Sequence, residues 1–264
     1  MGIKMKKAYT KYDGYSRSGY ILAVVFSALA AMCLIFALLI SSLQIVCYTD
    51  WDFYREEYEK YDVLSDMPSG VTLSEEDGLL KVTKHMMMYL IGDKDTPELQ
   101  VQIKTDAGMV DFFEERSYIH MTDCRELFKK ALDARYICVM FAVFAFVFCR
   151  YAIFREKEPF LKSLGKGMLI GSAAFFVLAA LLAIYMVTNF STAFIQFHHI
   201  FFDNDLWLLD PATSLLINML PEGLFFDIVK RALLIFVPGT AVIVLIALVI
   251  HLKYRAYVPK YKDK

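Results

Sequence analysis

Two histidines, an amide and three acids fall within residues 197–211, in the run Phe-His-His-Ile-Phe-Phe-Asp-Asn-Asp-Leu-Trp-Leu-Leu-Asp-Pro. The imidazole titrates near neutrality, so a histidine can take up and return a proton under physiological conditions. This segment follows an apolar run over residues 168–188. That placement puts the proton-transfer capacity at a membrane boundary, where lipid ester bonds sit, and Trp207 suits the headgroup layer. Asp203, Asn204, Asp205 and Asp210 accompany the pair. His198 and His199 diverge in direction on a helix or a strand, so no more than one of them faces a given site. A second acid–base centre is His120 with Asp123. On a helix these stand at i, i+3 and can touch, and the acid would then fix the imidazole tautomer and favour its charged form.

Other reactive side chains carry weaker signals. Cys124 stands one helical turn from His120, which admits a Cys–His nucleophile on spacing alone. His85 precedes three methionines, 86–88, that read as packing, and its own role reads as structural or solvated. His251 ends the last apolar run and lies far from the other histidines in the expected topology. The five cysteines, Cys33, Cys47, Cys124, Cys138 and Cys149, contain no CxxC pair. Neither a disulfide framework nor a thiolate zinc site is supported, and a Cys47–Cys124 bridge stays open. Phosphate-binding glycine loops, GxSxG elbows and HExxH patterns do not occur.

The elements that must position these residues are set by hydropathy and charge. Of 264 residues, 58% are hydrophobic, and the mean hydropathy is +0.45, as expected of an integral membrane protein. Four apolar runs, 20–48, 136–154, 168–188 and 232–252, each reach the roughly 20 residues that cross a hydrocarbon core. The first exceeds that length and is expected to tilt or extend beyond the bilayer. It also follows a basic segment, as a signal peptide does, but it is too long for one and reads as a retained anchor. The net charge of −1 conceals a division. Residues 1–19, 150–167 and 253–264 together carry +11, whereas 50–135 and 190–231 carry −12. Positive-inside bias places both termini (1–19 and 253–264) and the 155–167 loop in the cytoplasm, with the cap 49–135 and the loop 189–231 outside.

Within the cap, Trp51, Phe53, Tyr54, Tyr58 and Tyr61 stand among acids as an amphipathic continuation of the first span. Ser74 followed by Glu75, Glu76 and Asp77 predicts a helix N-terminus, and Leu79, Val82, Met86 and Leu90 recur at helical spacing. Leu99, Val101 and Ile103 alternate with polar residues. With the Asp106-Ala107-Gly108 turn and the run 109–113 they predict a hairpin. A second helix is expected over 117–132, feeding the second span. In the outer loop, Thr213 is expected to cap a short helix ending at Leu220, with another beginning near Leu224. The fold class is therefore an α-helical integral membrane protein, with four transmembrane helices and a small α+β extracellular cap between the first and second spans.

Longer stretches then resemble one family. They are Met87-Met88-Tyr89-Leu90; His120-Met121-Thr122-Asp123-Cys124-Arg125 with Leu127-Phe128; Phe197 to Phe202; Asn204-Asp205-Leu206-Trp207; Leu209-Asp210-Pro211; Leu216-Ile217; Pro221-Glu222; and Phe225-Phe226. Together they resemble the bacterial four-span family of the lipoprotein intramolecular transacylase Lit, across essentially the whole chain. The resemblance implies transfer of the sn-2 acyl chain of a diacylated lipoprotein's S-diacylglyceryl cysteine to that cysteine's α-amine, giving the lyso-form, with membrane lipid as surroundings. It implies two working histidines, His120 and His198, and puts His199 at a variable position. Asp123, Asn204, Asp205, Trp207 and Asp210 would support or orient them. No cofactor, metal or nucleic acid enters this reading. The chain departs from the family pattern in three places: Cys124 stands where an aliphatic residue is expected, Arg125 where lysine is common, and Ser214 where an acid is expected. The first departure argues against a cysteine nucleophile. Two other classes remain: a non-catalytic envelope scaffold that binds a partner through its acidic cap, and a zinc-dependent hydrolase, for which no compact ligand spacing exists.

Overall fold

A computed structural model describes residues 15–154 and 156–257. The basic stretches 1–14 and 258–264, which entered the topology argument, and Arg155 lie outside the described residues. In order, the elements are α1 (Arg17–Thr49), α2 (Trp51–Lys60), a 3₁₀ turn (Val63–Asp66), α3 (Leu79–Ile91), β1 (Gln102–Thr105), β2 (Gly108–Asp111) and α4 (Glu115–Phe148). A π-turn (Cys149–Ile153), α5 (Lys157–Thr188), α6 (Phe190–Phe201), α7 (Leu215–Met219) and α8 (Glu222–Tyr254) follow. Four of these, α1, α4 with its π-turn, α5 and α8, are long and apolar enough to cross a membrane. Large apolar side chains such as Leu181, Leu182, Val187 and Leu234 stand more than half exposed on them. Hydrocarbon, not water, is the solvent that suits such a surface.

The chain divides into two compact units, and each long helix contributes residues to both. The first comprises residues up to 35, 138–176 and 241 onward. Tyr20, Ala23, Cys149, Phe154 and Phe160 form its core, with Tyr15 edge-on to Phe154 at 4.9 Å. Here α5 presents Gly167 and Gly171 to α1. A Cβ on Gly171 would overlap the carbonyl of Ala28, and one on Gly167 would collide with Ser27 and the Val24 carbonyl. Small residues four apart let two helix backbones approach this closely in a medium that offers no hydrophobic drive between them.

The second unit, residues 36–137 and 177–240, contains the cap. Its core gathers Phe53, Tyr54 and Tyr58 from α2, Leu79, Val82, Met86 and Leu90 from α3, Leu99 and Ile103 from the hairpin arm, and Leu216, Met219 and Leu224. Burying such side chains contributes about 1.5–3 kcal/mol each. The hydroxyls of Tyr58 and Thr83 satisfy one another at 2.7 Å within that core. The hairpin pairs antiparallel, with Gln102 opposite Asp111 and Thr105 opposite Gly108. Gly108 takes φ +114°, a conformation that only glycine adopts without strain. A charged cluster ties α2 to the start of α8. Lys60, Tyr61 and Lys230 all donate to Asp227, and Lys230, Lys60 and Tyr61 hold its carboxyl well below the usual carboxylate range.

Two local expectations are corrected. Ser74 Oγ does accept the amides of Glu76 and Asp77, but these close a turn. The Gly78 amide returns to the Ser74 carbonyl and that of Leu79 to the Thr72 carbonyl, so α3 starts only at Leu79. Ser214, not Thr213, holds the position before α7, because the amides of both residues bond to the Asp210 carbonyl in the preceding turn. The helix expected over 117–132 is the first part of one continuous α4 that runs on into the second span.

Candidate active site

The first five turns of α4 carry charged residues and the apolar stretch begins only near Tyr136. His120 therefore lies on the polar part of this helix, before the apolar stretch. Arg116, His120 and Asp123 stand at i, i+4 and i+7 and share one face. Against it comes α6, which follows α5 after a break at Asn189, where φ −144° and ψ 50° leave the helical region. The last turn of α6 carries His198 and His199. The helix directs them apart: His198 is 6% exposed, whereas His199 is exposed to the surroundings.

The rings of His120 and His198 lie 5.8 Å apart, centroid to centroid. Aromatic rings enclose the pair. Phe202 packs edge-on against His120 at 5.2 Å and stacks on His198 at 5.5 Å. Trp207, 5% exposed, stacks on the His198 ring at 4.6 Å, and Phe194 adjoins it at 4.1 Å. His198 Nδ1 lies 2.7 Å from the Phe194 carbonyl. A carbonyl only accepts, so Nδ1 carries the proton and Nε2 keeps its lone pair. Burial is the main cause that lowers the His198 pKa; the nearby His199 adds to it and the Phe194 carbonyl opposes it. His120, 7% exposed, is pushed down to about 4 by burial and by His198, against the opposing charge of Asp123. Burial thus favours the neutral form of both imidazoles.

Asp123 does not hydrogen-bond to His120; its Oδ2 accepts from the Asn204 amide at 2.9 Å. Asn204 Oδ1 in turn accepts the Leu206 amide at 3.0 Å, so its side chain folds the loop. Asp205 contributes its carbonyl to Arg116 and to the Leu208 amide, and Asp210 Oδ1 accepts from the Ala212 amide at 2.9 Å. The structure therefore brings His120, His198, Trp207, Asp123 and Asn204 together, and gives Asp205 and Asp210 to turns. Cys124 Sγ lies 3.5 Å from His120 Nε2, but burial pushes its thiol up to about 12. A thiol kept protonated is a poor nucleophile. Cys47 and Cys124 are both free. His85 is tied to the Glu98 carbonyl at 2.9 Å. No group of three metal-ligating side chains occurs among the described residues.

Sequence reasoning missed Phe202, Phe194 and Arg116. The spacing of four that puts the Phe194 carbonyl beside His198 was readable once residues 190–201 were known to be helical; the Phe202 packing was not. Beside the pair lies a groove of about 860 Å³, walled by Ile40, Leu43 and Tyr48 of α1, Leu127 and Phe128 of α4, and Phe197, Phe201 and Phe202, with Asp123 and Asn204 on its polar side. The last apolar turns of α1 thus run level with the α4 turns just beyond His120.

Four apolar helices and a small α+β cap define a multi-pass membrane protein, with two buried imidazoles beside an apolar groove. Residues 28–226 match the family model described as lipoprotein intramolecular transacylase Lit, and the chain belongs to that family. No curated protein matches it. The in meso structure of the membrane integral lipoprotein intramolecular transacylase Lit from Bacillus cereus shares the fold, with a TM-score of 0.61 at 20% identity over 89% of this chain and 98% of that one. Two variants of that protein, with a histidine replaced by arginine or by alanine, give TM-scores of 0.62 and 0.63 at the same identity and cover 94% and 96% of their own chains.

Proposed function

We propose that this chain catalyses the intramolecular transfer that its family is named for. The sn-2 acyl chain of a lipoprotein's S-diacylglyceryl cysteine moves to the α-amine of that cysteine. In this aminolysis a C–N bond forms, the ester C–O bond breaks, and a proton leaves the amine and reaches the glycerol oxygen. The observation that carries the proposal is the pair of buried, neutral imidazoles 5.8 Å apart, close enough to serve one tetrahedral centre. His198 Nε2 is the proton acceptor, because Nδ1–H is committed to the Phe194 carbonyl. His120 serves the carbonyl oxygen or the departing glycerol oxygen. Each such step contributes about 10²–10⁴-fold. Holding amine and ester on one molecule supplies much of the remainder through effective concentration.

The apolar groove fits acyl chains, and its size falls within the usual range for ligand sites. The acidic cap and basic ends support an orientation with the site on the extracytoplasmic face. A scaffold that binds partners through its cap would have no use for two desolvated imidazoles. The test is mass spectrometry of a model lipoprotein's N-terminal peptide from cells with the chain, without it, and with His120→Ala or His198→Ala. An N-acyl, lyso-glyceryl cysteine is expected only with the unsubstituted chain. An unchanged diacylglyceryl cysteine beside well-expressed protein would refute the proposal.

A further inference from the structure

Arg116 is an exposed arginine whose guanidinium is engaged by backbone. Its Nε donates to the Leu208 carbonyl at 3.2 Å and its Nη2 to the Asp205 carbonyl. These carbonyls bracket Trp207. Between them the chain closes a turn, with the Leu208 amide on the Asp205 carbonyl at 3.1 Å. Two turns further along the same face of α4, Asp123 accepts from Asn204 at 2.9 Å. The loop is therefore fastened at two points on α4, one on each side of His120. From this fastened turn Trp207 lays its ring on His198 at 4.6 Å, with an interplanar angle of 29°.

We propose that Arg116 is a positioning residue of this site: its fork on the Asp205 and Leu208 carbonyls holds Trp207 against His198 and so fixes that imidazole relative to His120. The planar fork matters. Two donors in fixed geometry hold two carbonyls at once, which the single ammonium of lysine cannot do as rigidly. Arg116 touches neither imidazole and acts only through the loop. The titratable groups that act on His198 are His199 on its own helix and His120 on α4, and Asp123 and Cys124 in turn adjoin His120. None of them is altered by changing Arg116. But Arg116→Gln removes a cation, which by itself would raise the midpoint. The emission shift and acrylamide quenching therefore report the movement of Trp207, and Arg116→Lys, which keeps the charge, separates the two effects on titration.

The chain has two tryptophans, Trp51 and Trp207, so Trp51→Phe leaves Trp207 as the sole indole. Trp51 packs on Tyr54 in α2, with Lys84 over its ring. Protonated imidazole quenches a stacked indole, so acid titration of Trp207 emission reads the His198 contact directly. The full chain carrying Trp51→Phe, purified in detergent, should show this quenching with a midpoint below the ordinary histidine value.

Arg116→Gln on that background should red-shift the emission, raise acrylamide quenching, and either move the midpoint up towards 6.5 or abolish the transition. Activity on a diacylated lipopeptide in mixed micelles should fall in kcat by about tenfold to a hundredfold, the scale of a small misplacement, with KM little changed. Arg116→Lys should recover part of both signals, and it keeps the test available if the glutamine variant folds poorly. Emission, midpoint and kcat all unchanged in Arg116→Gln would overturn the proposal. The activity arm rests on the transacylase reading. If His198→Ala were fully active, that reading would fail while the fluorescence comparison still decided the clamp.

Discussion

The tautomer of His198 permits a substitution that separates chemistry from packing. In His198→Asn the side-chain amide nitrogen takes the place of Nδ1 and can still donate to the Phe194 carbonyl, 2.7 Å away in the native site. What disappears is Nε2, the proposed base. Loss of general base catalysis predicts a fall in rate of about 10²–10⁴-fold, or about 2.7–5.5 kcal/mol of transition-state stabilisation at 1.36 kcal/mol per tenfold. The stability cost is smaller. The retained hydrogen bond keeps its contribution of about 1 kcal/mol, whereas the stack on Trp207, worth about 0.5–1.5 kcal/mol, is lost. Together with some lost burial the total is about 1–3 kcal/mol, a Tm decrease of about 2–12 °C at roughly 2–4 °C per kcal/mol. His198→Leu keeps the bulk but loses the donor as well, and should be equally inactive. The assay is N-acylation of a diacylated lipopeptide in mixed micelles, followed by mass spectrometry, with thermal unfolding in parallel. If His198→Asn kept more than a tenth of native activity, Nε2 would not be the base and the mechanism would fall.

Three further outcomes follow from the same geometry. Both imidazoles have folded-state values below 6.5, so the unfolded chain binds protons first as pH falls. The native state should therefore lose stability as pH drops from about 6.5 through His120's value near 4, with no such loss at neutral pH; Tm measured in detergent between pH 7 and pH 4 checks the sign. Cys124→Val should leave transacylation within about threefold, because a thiol pushed up to about 12 carries no nucleophile. Abolished transfer in a variant of unchanged Tm would refute that reading and give Cys124, 3.5 Å from His120 Nε2, a part in the reaction. Gly171→Leu should force α5 from α1 at the Ala28 carbonyl and lower Tm by more than a conservative change at an exposed position, with an overpacking cost of about 1–3 kcal/mol.

Much of the architecture was legible because hydrocarbon imposes a simple length rule: runs of apolar residues announced four spans, and four suitable helices are present. The hairpin was legible in part: Leu99, Val101 and Ile103 alternate and all three are buried, but the paired strands are Gln102–Thr105 and Gly108–Asp111, so only Ile103 of the three lies in one. The pairing of His120 with His198 came from family resemblance, because no local pattern links residues 78 positions apart. Local spacing instead suggested that Asp123 meets His120. The carboxylate bonds to Asn204, a partner that appears only when the 203–208 loop folds over α4. α6 was hidden for another reason. The apolar run 168–188 ends where α5 ends, at Thr188, but a single residue, Asn189, then leads into a second helix within the stretch expected as loop. Gly167 and Gly171, four apart, mark the close approach of α5 to α1.

The aromatic collar around the imidazoles bears on a choice that any such enzyme faces. A base that can strip a proton from an amine can do the same to water, and water attacking the same ester would release a free fatty acid. The difference between a transferase and a lipase then lies in which nucleophile reaches the carbonyl. Phe194, Phe202 and Trp207 close on His198, leaving little space for a solvent molecule beside its ring. An amine tethered to the same lipid arrives with the ester and needs no channel to the bulk. Opening this collar, for example with Phe202→Ala, should therefore yield a leaky enzyme that sheds fatty acid in proportion to the transfer it loses.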